Sequence, residues 1–409
     1  MAIDWNLASI IIFYLCIGLF FWLRRSKINV QYNILFLYKS KFWAKQISKI
    51  AKKSPRFWQW FGYASIPVAF IGMIVILGFL TWKFIEMLIV PGTIPAVSPV
   101  LPGIKIPGSP IFLPFWYGIL ALAFIIIVHE FAHGFVAESW GAKLKSAGVG
   151  MLALLPLAFV EPDPKKLKRL PLKKQLSIYG AGPFSNLVWA LVIFLILTFA
   201  VIPATANILE PNGLYVEKTM GPELQEKNLF TELMSTTPEQ EPLLPAKKAG
   251  IKKGNIITKI NDQEINTTKD FVNYMENVNP SDVITMQIDG DLVELKTIEN
   301  PENKSEPYIG IQFSQNVDAT PEAQEKYGIF AKLLFYLAQL LNWIFVLNIG
   351  IGLINLLPLG IMDGGQMLRA VLSKKVKRKR LIKTIWTIFV TVSLFLLLMN
   401  LIGPYFLGF

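Results

Sequence analysis

The chain holds only two histidines in 409 residues, and they stand four apart in His129-Glu130-Phe131-Ala132-His133. Residues four apart share one face of a helix. Two imidazoles so placed can both reach one Zn2+ at about 2.0–2.1 Å, with the carboxylate of Glu130 free to work on a metal-bound water. The chemistry that suits this spacing is metal-assisted hydrolysis. A chance HExxH, its rings satisfied in a core, is the competing reading. Against it, the run from Ile119 to Val128 carries no polar side chain, and ionisable groups at membrane depth are costly enough to default to function.

A catalytic tetrahedral zinc site takes three protein ligands and keeps one position for water. No third histidine exists, and the single cysteine, Cys16, sits in an apolar run. The remaining ligand is therefore a carboxylate. Outside the acidic segment 204–327 the candidates are Asp4, Glu86, Glu138, Glu161, Asp163 and Asp363, besides Glu130 itself. Asp4 and Glu86 fall on the opposite side of the membrane in the topology derived below. Glu138 is five positions past His133 and cannot fold back without breaking its helix. Glu161 and Asp163, at a Pro-bounded turn, stay open, as does Asp363, which follows the helix-breaking Pro358.

The elements that must position these groups are apolar. The chain is 53% hydrophobic and 17% charged, with a mean hydropathy of +0.47, the composition of a membrane protein. Runs near the length needed to cross about 30 Å of hydrocarbon lie at roughly 5–23, 60–82, 113–135, 176–203, 329–357 and 384–408. The expected fold is a polytopic α-helical membrane protein of about six spans. The first run lacks a basic leader and a small-residue cleavage site, and Arg24-Arg25 follows it, so it reads as a retained span. Of 40 basic residues, 26 fall in 24–56, 143–174 and 369–383. The positive-inside rule makes those segments cytoplasmic. Both termini, a Pro-rich loop at 91–114 and the insert at 204–327 then lie outside.

That insert carries 21 of the 28 acidic residues against 11 lysines. The net charge of +12 is therefore a topology signal. Nucleic acid is not an expected partner, because the basic runs flank spans and no aromatic-basic RNA motif accompanies them. Membrane lipids are expected partners, although the lysines at 374–379 read as a plain cytoplasmic loop. No disulfide framework is possible within one chain. The absence of cysteine from the exterior insert points to a prokaryotic plasma membrane, archaeal or bacterial.

Within the insert, 204–240 reads as a connection with little periodicity. From Pro245 the pattern sharpens. Asn255 to Asn261 alternates and is β-branched, hence a strand. Thr267 to Asn277 has an N-cap and helical spacing of Phe271, Tyr274 and Met275. Val283–Ile288 and Leu292–Ile298 form a hairpin across Asp289-Gly290-Asp291, and Tyr308 to Phe313 offers a last strand. With Ala249-Gly250-Ile251-Lys252-Lys253-Gly254-Asn255-Ile256-Ile257, this α+β order resembles a PDZ-like domain of membrane and periplasmic proteases. PDZ domains capture extended chains by strand addition; a small β-rich plug with no peptide grip is the alternative.

Over about 113–370 the chain resembles the site-2 protease family of intramembrane zinc metalloproteases, with residues 1–110 and the last span as peripheral additions. HEFAH matches the family's HExxH, and Asn355-Leu356-Leu357-Pro358 through Asp363-Gly364 matches its NxxPxxxxDG. Ala181-Gly182-Pro183-Phe184-Ser185-Asn186 matches a further element, and Gly148 to Glu161 its membrane-associated β segment. The resemblance implies that His129, His133 and Asp363 hold Zn2+ and that Glu130 is the general base. It makes Asn355 a candidate for holding the substrate backbone or the oxyanion. Asn186 has the same candidate role, or with Gly182-Pro183 a packing or capping one. The implied substrates are transmembrane helices, trimmed beforehand by another protease.

The chain then divides into five parts. Residues 1–110 carry two N-terminal spans and a basic loop, and 111–203 the first catalytic helix, the β segment and the second core helix. The PDZ-like domain occupies 204–327, the third core helix with its motif 328–370, and a basic loop with the last span 371–409. A zinc-binding membrane transporter is the alternative function, but the other spans carry almost no acidic or histidine relay. An inactive scaffold would be natural only if the base or a ligand were missing.

Overall fold

The computed structural model describes residues 5–25, 28–31, 35–90, 96–104, 111–152, 155–206, 208–219, 244–300, 303–360 and 362–406. Asp4, the middle of the Pro-rich loop and most of 204–240 lie outside them. The chain folds as two compact units, residues 1–200 with 337–409, and residues 201–336.

The first unit is helical with one small sheet. Its elements are α1 (Trp5–Leu23), β1 (Ile28–Gln31), β2 (Leu35–Ser40), α2 (Lys41–Lys53), α3 (Pro55–Ile89), α4 (Phe115–Ser139), β3 (Leu144–Leu152), β4 (Leu155–Pro162), α5 (Pro164–Arg169), α6 (Leu172–Ile196), α7 (Ile329–Ile354), α8 (Asp363–Lys375) and α9 (Lys379–Phe406). Five helical stretches among the described residues are long and apolar enough to cross a membrane: Pro55–Ile89, Phe115–Ser139, Leu172–Thr205, Ile329–Ile354 and Lys379–Gly403. In α1, expected as a sixth span, the apolar stretch is the shorter Ala8–Leu23.

Small residues let α3, α4 and α6 approach closely. A Cβ on Gly62 would stand 2.7 Å from Val136, and one on Gly180 2.8 Å from Ser65 Oγ. Lipid supplies no hydrophobic drive between helices, so such close backbone packing is what binds them. Phe61, Val136, Ile178 and Ala181 fill one contact region, and Ala69, Leu176, Leu356 and Met367 bring α8 and the turn before it onto α3 and α6.

The segment read as a basic loop, 24–56, is structured. Its strands β1 and β2 extend the β segment into a four-stranded antiparallel sheet of order β1-β2-β3-β4, with Phe36 opposite Met151 and Tyr38 opposite Val149. The helix α2 buries Ala44, Ile47 and Ala51, spaced three and four apart, and the first two pack with Ala147 and the α4 aromatics Phe131 and Phe135. Charge dominates the composition here, and the apolar stripe beneath it is narrow. Among the described residues the strand β4 is an edge, paired with β3 alone.

In the second unit, β5 (Leu209–Thr219), β6 (Ile256–Ile260), β7 (Val283–Ile288), β8 (Asp291–Lys296) and β9 (Ile311–Ala319) form a sheet of order β9-β5-β6-β7-β8. Leu214, Ile257, Ile260, Met286 and Phe271 are core residues. The helix Thr268–Met275 starts at a capping box made by Thr267 and Asp270. Asp289 and Gly290 both have positive φ, the two-residue I′ geometry that joins β7 to β8. The strand β5 corrects the reading of 204–240 as a connection. Its Pro211-Asn212-Gly213 mimics a breaker, but the pairing with β9 absorbs it as a register shift. Gly213, at φ 80°, passes so close to Ile257 O that no Cβ would fit.

Candidate metal centre

The apolar run before the motif continues unbroken into it, so α4 carries both histidines on one face. His129 Nε2 and His133 Nε2 are 3.2 Å apart. Asp363 completes the cluster from α8, with Oδ2 3.1 Å from His129 Nε2 and Oδ1 3.4 Å from His133 Nε2. Ligands at about 2.05 Å on a tetrahedral Zn2+ stand about 3.3 Å from one another. The His129–His133 spacing is close to one edge of such a tetrahedron, one ligand atom from each of the three residues lies within 4.8 Å of the others, and the donor set suits the ion. Among the described residues this is the one His/Cys/Asp/Glu group with metal-holding geometry.

Asp363 arrives there through a tight turn. The helix α7 ends at Ile354, and Gly364 N–H donates to Asn355 O across the loop (2.9 Å). A Cβ on Gly364 would strike Leu356 O, and one on Gly365 would strike Leu359 O. The turn closes only with glycine there, and it sets Asp363 in the first turn of α8.

Both rings are held by their other nitrogen. His133 Nδ1 lies 2.6 Å from Ile178 O, so Nδ1–H donates and Nε2 keeps its lone pair for a metal. His129 Nδ1 faces the amide of the fully buried Asn186 at 3.2 Å, while Asn186 Oδ1 is buried with no partner among the described residues. Turning that amide lets Oδ1 accept from Nδ1–H, which leaves His129 Nε2 free as a metal ligand. Space matters equally. A Cβ on Gly182 would lie 2.6 Å from His129 Nε2 and closer still to His133 Nε2. Ser185 Oγ donates to Val128 O (3.1 Å) and ties α6 to α4 beside the rings.

Glu130, between the two histidines in the chain, is held from the β segment. Its Oε2 accepts from Val160 N–H on the free edge of β4 (2.9 Å). Asn355 is half-buried, and its side chain makes no hydrogen bond among the described residues. Two carboxylates left open as ligands sit elsewhere. Glu161 binds Lys39 Nζ (2.9 Å) and Ser146 Oγ (2.7 Å), and the Lys39 ammonium beside it holds its carboxyl below the usual range. Asp163 caps α5 through the amides of Lys165 and Lys166. Glu138 joins three elements, accepting from Ser48 Oγ (2.9 Å) and Leu144 N–H (2.7 Å).

Reasoning from residue types missed the Ile178 carbonyl and the Val160 amide, which have no side-chain signature, and the steric part of Gly182. The Ala-Gly-Pro string was the available signal.

The model of Peptidase family M50 matches residues 117–401. An uncharacterised protein of Methanocaldococcus jannaschii is 30% identical over 352 residues, 83% of this chain and 79% of its own. Among solved structures, the PDZ domain of an SdrC-like protein from Listeria monocytogenes covers 25% of this chain and 87% of that domain, at 16% identity and a TM-score of 0.18.

Proposed function

The chain belongs to peptidase family M50, the site-2 protease family of metallopeptidases, and from that premise we propose that it is an intramembrane zinc protease that hydrolyses peptide bonds within transmembrane helices. The observation that carries this is the spacing of His129, His133 and Asp363 at 3.1–3.4 Å, with both histidines on a helix apolar enough to cross a membrane. When bound, zinc supplies a Lewis acid for the scissile carbonyl and acidifies a water toward a pKa of about 7.

Glu130 takes the proton from that water as its oxygen joins the carbonyl carbon, and returns it to the nitrogen as the C–N bond breaks. The Val160 amide holds the Glu130 carboxylate in place meanwhile. A helical substrate shields its amides, so it must unwind before attack. The free edge of β4 offers backbone groups to the unwound chain by strand addition. In this reading Asn355, whose side chain has no hydrogen-bond partner among the described residues, binds the substrate backbone.

In this reading the basic segments face the cytoplasm of a prokaryotic plasma membrane and the second unit lies outside as a PDZ-like domain. There it acts on access, passing membrane proteins whose ectodomains another protease has trimmed.

The test is a pair of variants of the purified chain. Glu130→Gln removes only the base, so cleavage is lost while zinc stays; His129→Ala loses both. Elemental analysis reads the metal, and equal zinc loss in the two variants would make Glu130 structural and sink the assignment. The Glu130→Gln variant also serves as a trap, its retained membrane proteins identified by mass spectrometry.

A further inference from the structure

A cavity of about 300 Å³ opens where α2 passes the corner between α4 and β3. Lys41, Lys45 and Lys52 line it from α2, at the spacing of one helix face. Lys143 and Lys145 line it from the corner. All five are exposed, and none forms an ion pair among the described residues. The one acidic group on the wall, Glu138, is buried, with one oxygen bound by Ser48 and the other by the Leu144 amide. Five lysines thus line one concavity from two segments far apart in sequence.

The level of this cavity is also marked. Gln59 Nε2 donates to Ser139 O (2.9 Å), so the start of α3 and the end of α4 are level. Around that level Phe42, Trp43, Phe57, Trp60 and Tyr63 are exposed, the aromatic belt of a membrane–water interface. We propose that the cavity is a binding site for the phosphate headgroup of an anionic phospholipid. A phosphodiester at the interface meets the lysines, while its acyl chains run along the belt. A headgroup seated there clamps α2 to the last turn of the catalytic helix through Ser48 and Glu138.

The test uses the full chain, purified in mild detergent and observed by native mass spectrometry. The probes are phosphatidylglycerol, phosphatidylcholine and inorganic phosphate. The wild type retains phosphatidylglycerol and not phosphatidylcholine. The triple variant Lys45→Gln/Lys143→Gln/Lys145→Gln weakens retention on the order of a hundredfold, since each cation near an anionic surface contributes about a factor of five. Replacing the same three lysines by arginine keeps it within a few fold, and this arm decides the matter should the glutamine variant lose helicity. Lys374→Gln/Lys375→Gln/Lys377→Gln removes as much charge elsewhere and changes it little. Equal losses in the two glutamine triples would reduce the effect to diffuse attraction and overturn the proposal. Inorganic phosphate held as tightly as the lipid would assign the cavity to a soluble anion and overturn it equally.

Discussion

Gly182→Ala adds one methyl group to α6 and should empty the metal centre. Its Cβ would stand 2.6 Å from His129 Nε2 and nearer to His133 Nε2. Ordinary contact between heavy atoms needs about 3.5 Å, so the first ring must retreat by about 0.9 Å and the second by more. A metal site tolerates errors of about 0.2 Å in its bonds. Neither ring can swing aside freely, because Ile178 O holds His133 and Asn186 faces His129. Altering groups that only support the ligands costs roughly 10–100-fold in metal affinity, and displacing both nitrogens should exceed the upper end of that range. Zinc affinity is read by chelator competition on purified protein. The control is Gly350→Ala, a helix glycine with nothing within 4 Å of the added atom, where alanine should stabilise by up to about 1 kcal/mol. If Gly182→Ala binds zinc as tightly as the control, the metal does not lie between these two nitrogens and the reasoning fails.

Three further outcomes test the surroundings. Asp363→Ala should lower zinc occupancy, whereas Glu161→Ala and Asp163→Ala should leave the metal in place; the reverse pattern would move the third ligand. Asn186→Ala should weaken zinc binding about 10–100-fold, and Asn186→Asp should largely restore it, since a carboxylate also accepts from His129 Nδ1–H. A fall in kcat with zinc affinity unchanged would instead give Asn186 to the oxyanion. Deleting about 245–315 should leave zinc binding and cleavage of trimmed substrates intact while admitting long-ectodomain substrates. Equal slowing of short and long versions of one substrate would make the domain a structural support.

What was legible in the sequence is what repeats locally. The apolar runs coincide with long helices because a span is a property of some twenty consecutive residues. The hairpin at Asp289-Gly290 and the cap at Thr267 were readable for the same reason, since their signals sit within four residues. The strands β1 and β2 were not. They are four and six residues long, they lie in a lysine-rich stretch, and the strand β2, on which β1 pairs, is itself paired to a partner more than a hundred residues away. The strand β5 was hidden by its own Pro211-Asn212-Gly213, a turn signal overridden by pairing on both sides.

The site divides along a similar line, between ligands and the room they need. Two histidines four apart announce a shared helix face, and a missing third histidine narrows the search to carboxylates. Elimination stopped at Glu161, Asp163 and Asp363, because side-chain identity does not say which loop folds back. The difference lies in backbone. Glycine at 364 and 365 lets the turn after Pro358 close on Leu356 and Leu359, which carries Asp363 to the histidines. Glu161 sits instead on a strand pinned by Lys39. Gly182 follows the same logic, since its contribution is an absent Cβ and a scan for metal-ligating residue types passes over it. A protein that builds this centre on other helices would therefore need the two imidazoles and the carboxylate, and also a helix bare enough beside the rings to let them converge.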